Sequence, residues 1–178
     1  MADQSPIMPH AANKVSRISE FAAYFSAHLL PAIAEYNAAE RDLEDVQGSY
    51  DPAYHAWERD ADLARERLVS ALVYLCEEKI VEPTDKPLKR MTQLIKDLVW
   101  SDDVTEFKEL HRDLRLSFSS FFLVSGAGAS AIATNALLMQ ARRAVDALVA
   151  LPLYERWSDD ALAIYHQQDC QELTAIGF

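Results

Sequence analysis

The sequence predicts an all-α fold, an elongated antiparallel bundle of five to seven helices opened by a long N-terminal αα-hairpin. Three observations lead there. Apolar residues recur at three- and four-residue spacing along most of the chain. No segment sustains the alternation of a half-buried strand. The periodic runs are divided by proline, glycine and capping residues rather than by long polar linkers. Each helix then carries one apolar stripe that another helix must cover.

The first run is the longest. Val15, Ile18, Ala22, Phe25, Leu29, Ala32, Tyr36, Ala39, Leu43, Val46 and Tyr50 alternate steps of three and four. This heptad pattern predicts a helix of roughly 50 Å at about 1.5 Å per residue. Pro31 interrupts it and predicts a kink near Ala27 to Pro31, or two helices in near register, because proline lacks an N–H and clashes with the carbonyl four residues back. Gly48 then supplies a C-cap, and Asp51 with Pro52 an N-cap and first helical residue, so the chain reverses. Trp57, Ala61, Ala64, Leu68, Ala71, Leu72 and Leu75 carry the returning helix as far as Pro83.

After EPTDKP, a shorter helix presents Leu88, Met91, Leu94, Ile95, Leu98 and Val99 and ends near Trp100. Its Lys86, Lys89, Arg90 and Lys96 make it the one basic segment, read as a solvated face in an acidic protein rather than as a contact for an acidic partner. Asp103 and Glu106 resemble a capping box for a helix with the stripe Val104, Phe107, Leu110, His111, Leu114, Phe118 and Phe121. From Leu116 to Ala141 no residue is charged, about 26 positions, long enough to span a bilayer. Its serines, Thr134, Asn135, Gln140, Gly126 and Gly128 instead predict two buried helices joined near SGAGAS, with one long central helix as the alternative. Ile132, Ala136, Leu137, Met139, Ala144, Leu148 and Leu151 mark the second of these, ended by Pro152, and Ser158 caps a last helix with Leu162, Tyr165 and Leu173.

At 178 residues the chain suits one domain, expected over residues 13–178 behind a disordered tail of residues 1–12 with no secretory core. Half the residues are hydrophobic and Gly and Pro are sparse, which excludes collagenous and disordered classes. A net charge of -11 argues against a nucleic-acid partner. Cys76 and Cys170 are too few for a disulfide framework or a thiolate metal site and fit a reducing, cytoplasmic compartment.

Motifs carrying chemistry are few. GAGASA, Gly126 to Ala131, has the G-x-G-x-x-A form of a dinucleotide loop, but no parallel strands surround it, leaving a small-residue helix junction with free N–H groups able to meet an anion. No Glu-x-x-His, H-E-x-x-H or His-x-x-x-His pair exists, so no metal is expected, with His166 and Asp169 as the weak candidates. His55 and Glu58 share a helix face, and Cys170 lies one turn beyond His166. His111 and His28 read as core-edge histidines needing a hydrogen-bond partner rather than as general bases. Neither a nucleophile elbow nor a P-loop is present, and no cofactor is predicted.

The leading expectation is therefore a non-catalytic bundle acting through self-association or a protein partner along its helix faces, without nucleic acid or membrane. The alternative is a helical enzyme or a small-molecule or metal-binding protein. Its ligand residues would be His111, Ser125, Gly126, Gly128, Ser130 and His166.

Overall fold

Five helical rods make up the described part of the chain, which in the computed structural model comprises residues 18–45, 53–101 and 103–151. The fold is all-α, and no strand occurs among the described residues. The first rod runs through α1 (Glu20–Tyr24), a π-helical turn (Phe25–Leu29) and α2 (Leu30–Asp45). The others are α3 (Tyr54–Glu77), α4 (Lys86–Trp100) after a 3-10 turn (Pro83–Asp85), α5 (Val104–Phe121) and α6 (Ala129–Val149).

Side-chain pairs fix how the rods run. Tyr24 stacks on Tyr74 at 4.1 Å between ring centroids, and Glu35 pairs with Arg67 at 2.6 Å, so α1–α2 and α3 are antiparallel. Cys76 lies beside Gln93, and Val69 shares a groove with Trp100, which makes α3 and α4 antiparallel. Arg90 covers the Phe121 ring and Ser101 Oγ donates to Glu106, reversing α4 into α5. His111 meets Asp146 and Arg142 covers Phe118, reversing α5 into α6. The count is odd, so the first and last rods are parallel: Asn37 Nδ2 donates to the Ala144 carbonyl at 3.0 Å, and Arg41 reaches that of Ala147.

The core is built from one stripe per helix. Phe25, Leu29 and Ile33 of the first rod, Leu68, Leu72 and Leu75 of α3, and Leu88, Met91, Ile95 and Leu98 of α4 are all fully buried. Thus Ala22, Phe25, Leu29, Ala32 and Tyr36 of the heptad series are covered by the chain's own helices, whereas Ile18 is exposed. Pro31 acts as expected in place and differently in form. The rod does not break; it widens by one residue into the π-turn just upstream, where the Leu30 N–H reaches back to the Phe25 carbonyl.

Several boundaries move. The first helix begins at Glu20 rather than Val15, since Ser19 Oγ accepts the Ala22 N–H as its N-cap. The turn expected around Gly48 and Asp51 lies outside the described residues, as do the tail at 1–12 and the last helix with His166, Asp169 and Cys170. The third helix stops at Glu77, short of Pro83. Lys89 Nζ donates to the carbonyls of Leu75, Cys76 and Glu78, taking the acceptors that another turn would have used. Asp103 does cap α5 through the Thr105 N–H, but Glu106 accepts from Ser101 Oγ instead of closing a capping box. Phe122, beyond the helix end, is buried in place of Phe121.

The uncharged stretch from Leu116 to Ala141 is two helices, broken between Phe121 and Ala129. No helix among the described residues is long and apolar enough to cross a membrane. Asn135 holds the junction, its amide exchanging hydrogen bonds of 2.8 and 3.0 Å with the N–H and carbonyl of Val124. Gly126 there has φ 132°, a conformation that strains any residue with a Cβ. The buried face of α6 is Ala131, Thr134, Leu138, Ala141, Val145 and Leu148, so Ile132 and Met139 point outward, contrary to the predicted stripe. Ser130, Thr134, Asn135 and Gln140 are scattered around the helix rather than gathered on one face, so they do not set the phase.

Lys89→Met keeps the apolar stem and removes three charge-assisted bonds to the end of α3. It is expected to lower stability by about 1–3 kcal/mol, read from the urea midpoint. An unchanged midpoint would show that the helix end does not depend on the ammonium group.

Candidate functional site

At one end of the bundle α1, α4 and α6 all begin, because these three rods run the same way. Between α1 and α6 this end opens into a cleft of about 480 Å³. Small side chains form its walls: Ala22 and Ala23 from α1, Ser26 from the π-turn, and Ala129, Ala133 and Ala136 from α6. Ile18 and Leu137 add larger apolar surface, and Ser19, Ser130, Thr134 and Asp85 add polar groups. This is the ordinary size and character of a small-molecule site, mostly apolar with a few convergent polar atoms.

Asp85 is the notable member. The 3-10 turn places it at the N-cap position of α4, yet its carboxylate makes no capping bond to that helix. It accepts instead from Ser19 Oγ at 2.7 Å, and Ser19 in turn accepts the Ala22 N–H at 3.0 Å. One hydroxyl thus joins the starts of α1 and α4 across 66 residues of sequence. Asp85 is only 2% exposed and forms no ion pair with any described residue. Burial pushes its carboxyl above the usual carboxylate range; the Ser19 hydrogen bond pulls against this, and Glu82 adds to the rise.

The candidates from sequence separate in space. Ser130 lies on the cleft wall, while Ser125, Gly126 and Gly128 are exposed on the junction leading to it. Gly128 occupies the N-cap position of α6 without a side-chain cap, and a Cβ there or at Gly126 would meet open space. His111 lies elsewhere, its Nε2 and Asp146 Oδ1 3.0 Å apart across the α5–α6 contact. That is the single partner a core-edge histidine requires. His28 is exposed and packs against the Tyr24 ring at 4.3 Å instead of sitting at the core edge. His55 and Glu58 do pair, at 3.3 Å on an exposed surface.

His166 and Asp169 lie outside the described residues. Among the described residues no group of three or more His, Cys, Asp and Glu is placed to hold a metal ion. Burial also pushes the Cys76 thiol up, against the pull of Lys96 and Lys89, which favours the unreactive protonated form. The basic residues of α4 include two with structural work: Lys89 caps α3, and Arg90 lies 4.4 Å above the Phe121 ring.

Sequence reasoning missed Asp85 and Ser19. The Asp-Lys-Pro string marked a helix start, but its partner hydroxyl is distant in sequence. The neighbouring Pro83 and Pro87 were the only local sign that Asp85 is held in a fixed turn. No protein-family model matches the chain, and no curated protein or solved structure is found to match it.

Asp85 has a higher pKa folded than unfolded, so between those two values the folded state binds the extra proton. Its contribution to stability therefore falls as pH rises through that window, and the penalty is complete above the folded value. Asp85→Asn keeps an acceptor for Ser19 and carries no charge. It is expected to be at least as stable as the parent near neutral pH, with the advantage gone below the ordinary carboxylate range. Thermal melts from about pH 3 to 8 measure this; a variant clearly less stable at neutral pH would contradict it.

Proposed function

We propose that the protein binds a small molecule in the cleft between α1 and α6, with the ligand's apolar body along the alanine walls and a hydrogen-bond donor directed at Asp85. The observation that carries this reading is the combination of a mostly apolar cleft with one buried carboxylate on its lining. A group of this kind at a cavity surface is a marker of binding sites, because its desolvation is costly unless something meets it. Ser130 belongs to this site, and His111 does not take part in it.

Nile red, a neutral probe that fluoresces in apolar surroundings, tests the reading. One saturable site per chain is expected, lost in both Ala133→Trp and Ala136→Trp, with helical circular dichroism retained, and kept in Leu116→Glu on α5. Dye binding that survives both tryptophans would place the apolar site elsewhere and overturn the proposal.

A second reading, association with another copy of this chain through helix faces, is favoured by one observation. Leu116 on α5 is 75% exposed and Ile132 on α6 is 60% exposed, with Phe121 also open to solvent. The heptad positions from Ala22 to Tyr36 are already covered within the chain, so α5 and α6 would supply the contact. Light scattering across a concentration series is expected to give a mass above one chain that Leu116→Glu reduces. A monomer at every concentration would remove this reading.

A further inference from the structure

We infer that the cleft selects an amphipathic amine, its ammonium group meeting Asp85 and its apolar chain lying between α1 and α6. This rests on the reading of the cleft as a ligand site. Two features of the site set the class of ligand, the buried carboxylate and the apolar walls.

The charge argument begins with what is missing around Asp85. A buried carboxylate is ordinarily paired with a cation or held by several donors. Here the described residues supply one hydroxyl donor, Ser19, and no cation. Among the described residues the cleft lining holds no lysine, arginine or histidine, and Asp85 is the one titratable side chain there. Glu82, on the segment leading into the 3-10 turn, adds negative field. Glu20 at the start of α1 and Lys86 at the start of α4 are exposed, and the α6 wall contributes no charged group. The start of α4 favours an ionised Asp85 when a cation arrives. An ammonium group would bring both the counter-charge and several N–H donors to a carboxylate that has only one.

The walls set the ligand's apolar body. Ala22, Ala23, Ala129, Ala133 and Ala136 line the cleft between two parallel helices with methyl groups. A linear alkyl chain is the simplest apolar body that such walls accept.

The test compares n-octylamine, n-octanol and octanoate as probes of the purified full chain by isothermal titration calorimetry near neutral pH. Octylamine is expected to bind at least about tenfold more tightly than octanol, the size of one charge-assisted hydrogen bond, with octanoate weakest. Asp85→Asn should reduce octylamine to the affinity of octanol while leaving octanol within about twofold, since the apolar contacts are unchanged. On the unmodified chain, octylamine affinity should fall as pH is lowered through the titration of Asp85, and that of octanol should not. This second readout stands even if the variant folds poorly.

Octanol binding as tightly as octylamine, or octanoate binding best, would overturn the inference while leaving the cleft a ligand site. Failure of all three probes would remove the inference together with the ligand reading beneath it.

Discussion

The direction in which each rod runs is the constraint on which the rest depends. Consecutive helices reverse, so α1, α4 and α6 start at the same end and α3 and α5 finish there. Helix starts carry unpaired N–H groups and partial positive charge, and a buried anion is tolerated better beside them than elsewhere in an apolar core. Asp85 occupies that place. Through Ser19 it ties the start of the first rod to the start of α4, and the cleft opens where α6 begins on the other side. The same geometry that closes the core therefore leaves a buried carboxylate on the lining of a mostly apolar cleft.

The opposite arrangement operates at the finishing end of α3. Its last carbonyls need donors, and Lys89 supplies three hydrogen bonds from one ammonium group on the neighbouring helix. The two charges serve different ends of helices, Asp85 where N–H groups gather and Lys89 where carbonyls do. In a chain of net charge -11, a cation spent inside the fold is a structural commitment rather than surplus surface charge.

How much of this was legible in the sequence depended on whether the signal was local. The all-α class, the stripe of α4 and the break near Gly126 followed from spacing and turn chemistry, and all three involve residues within one helix or its flanks. The heptad series from Ala22 to Tyr36 is buried, but heptads specify that a partner helix exists without saying whose chain it belongs to, and here α3 and α6 cover it. The phase of α6 was not legible, because Ser130, Thr134, Asn135 and Gln140 are scattered around the helix and mark no single outward face; Ile132 and Met139 are exposed and Thr134 is buried. The cleft was less legible still. Ser130 marked one wall by its position beside the glycines, whereas Asp85 became significant only once a hydroxyl 66 residues away closed on it.

That Asp85 is a buried carboxylate on the cleft lining, without a cationic partner among the described residues, is tested most directly by its own titration. Carbon-13 NMR of the aspartate side-chain carboxyls, with the Asp85 signal assigned by its absence from Asp85→Asn, follows it through acid pH. The account predicts a midpoint above that of the exposed aspartates, because burial outweighs the Ser19 hydrogen bond. A midpoint at or below theirs would mean that the carboxylate is solvated or already paired, and the cleft would lose the group that gives it chemistry.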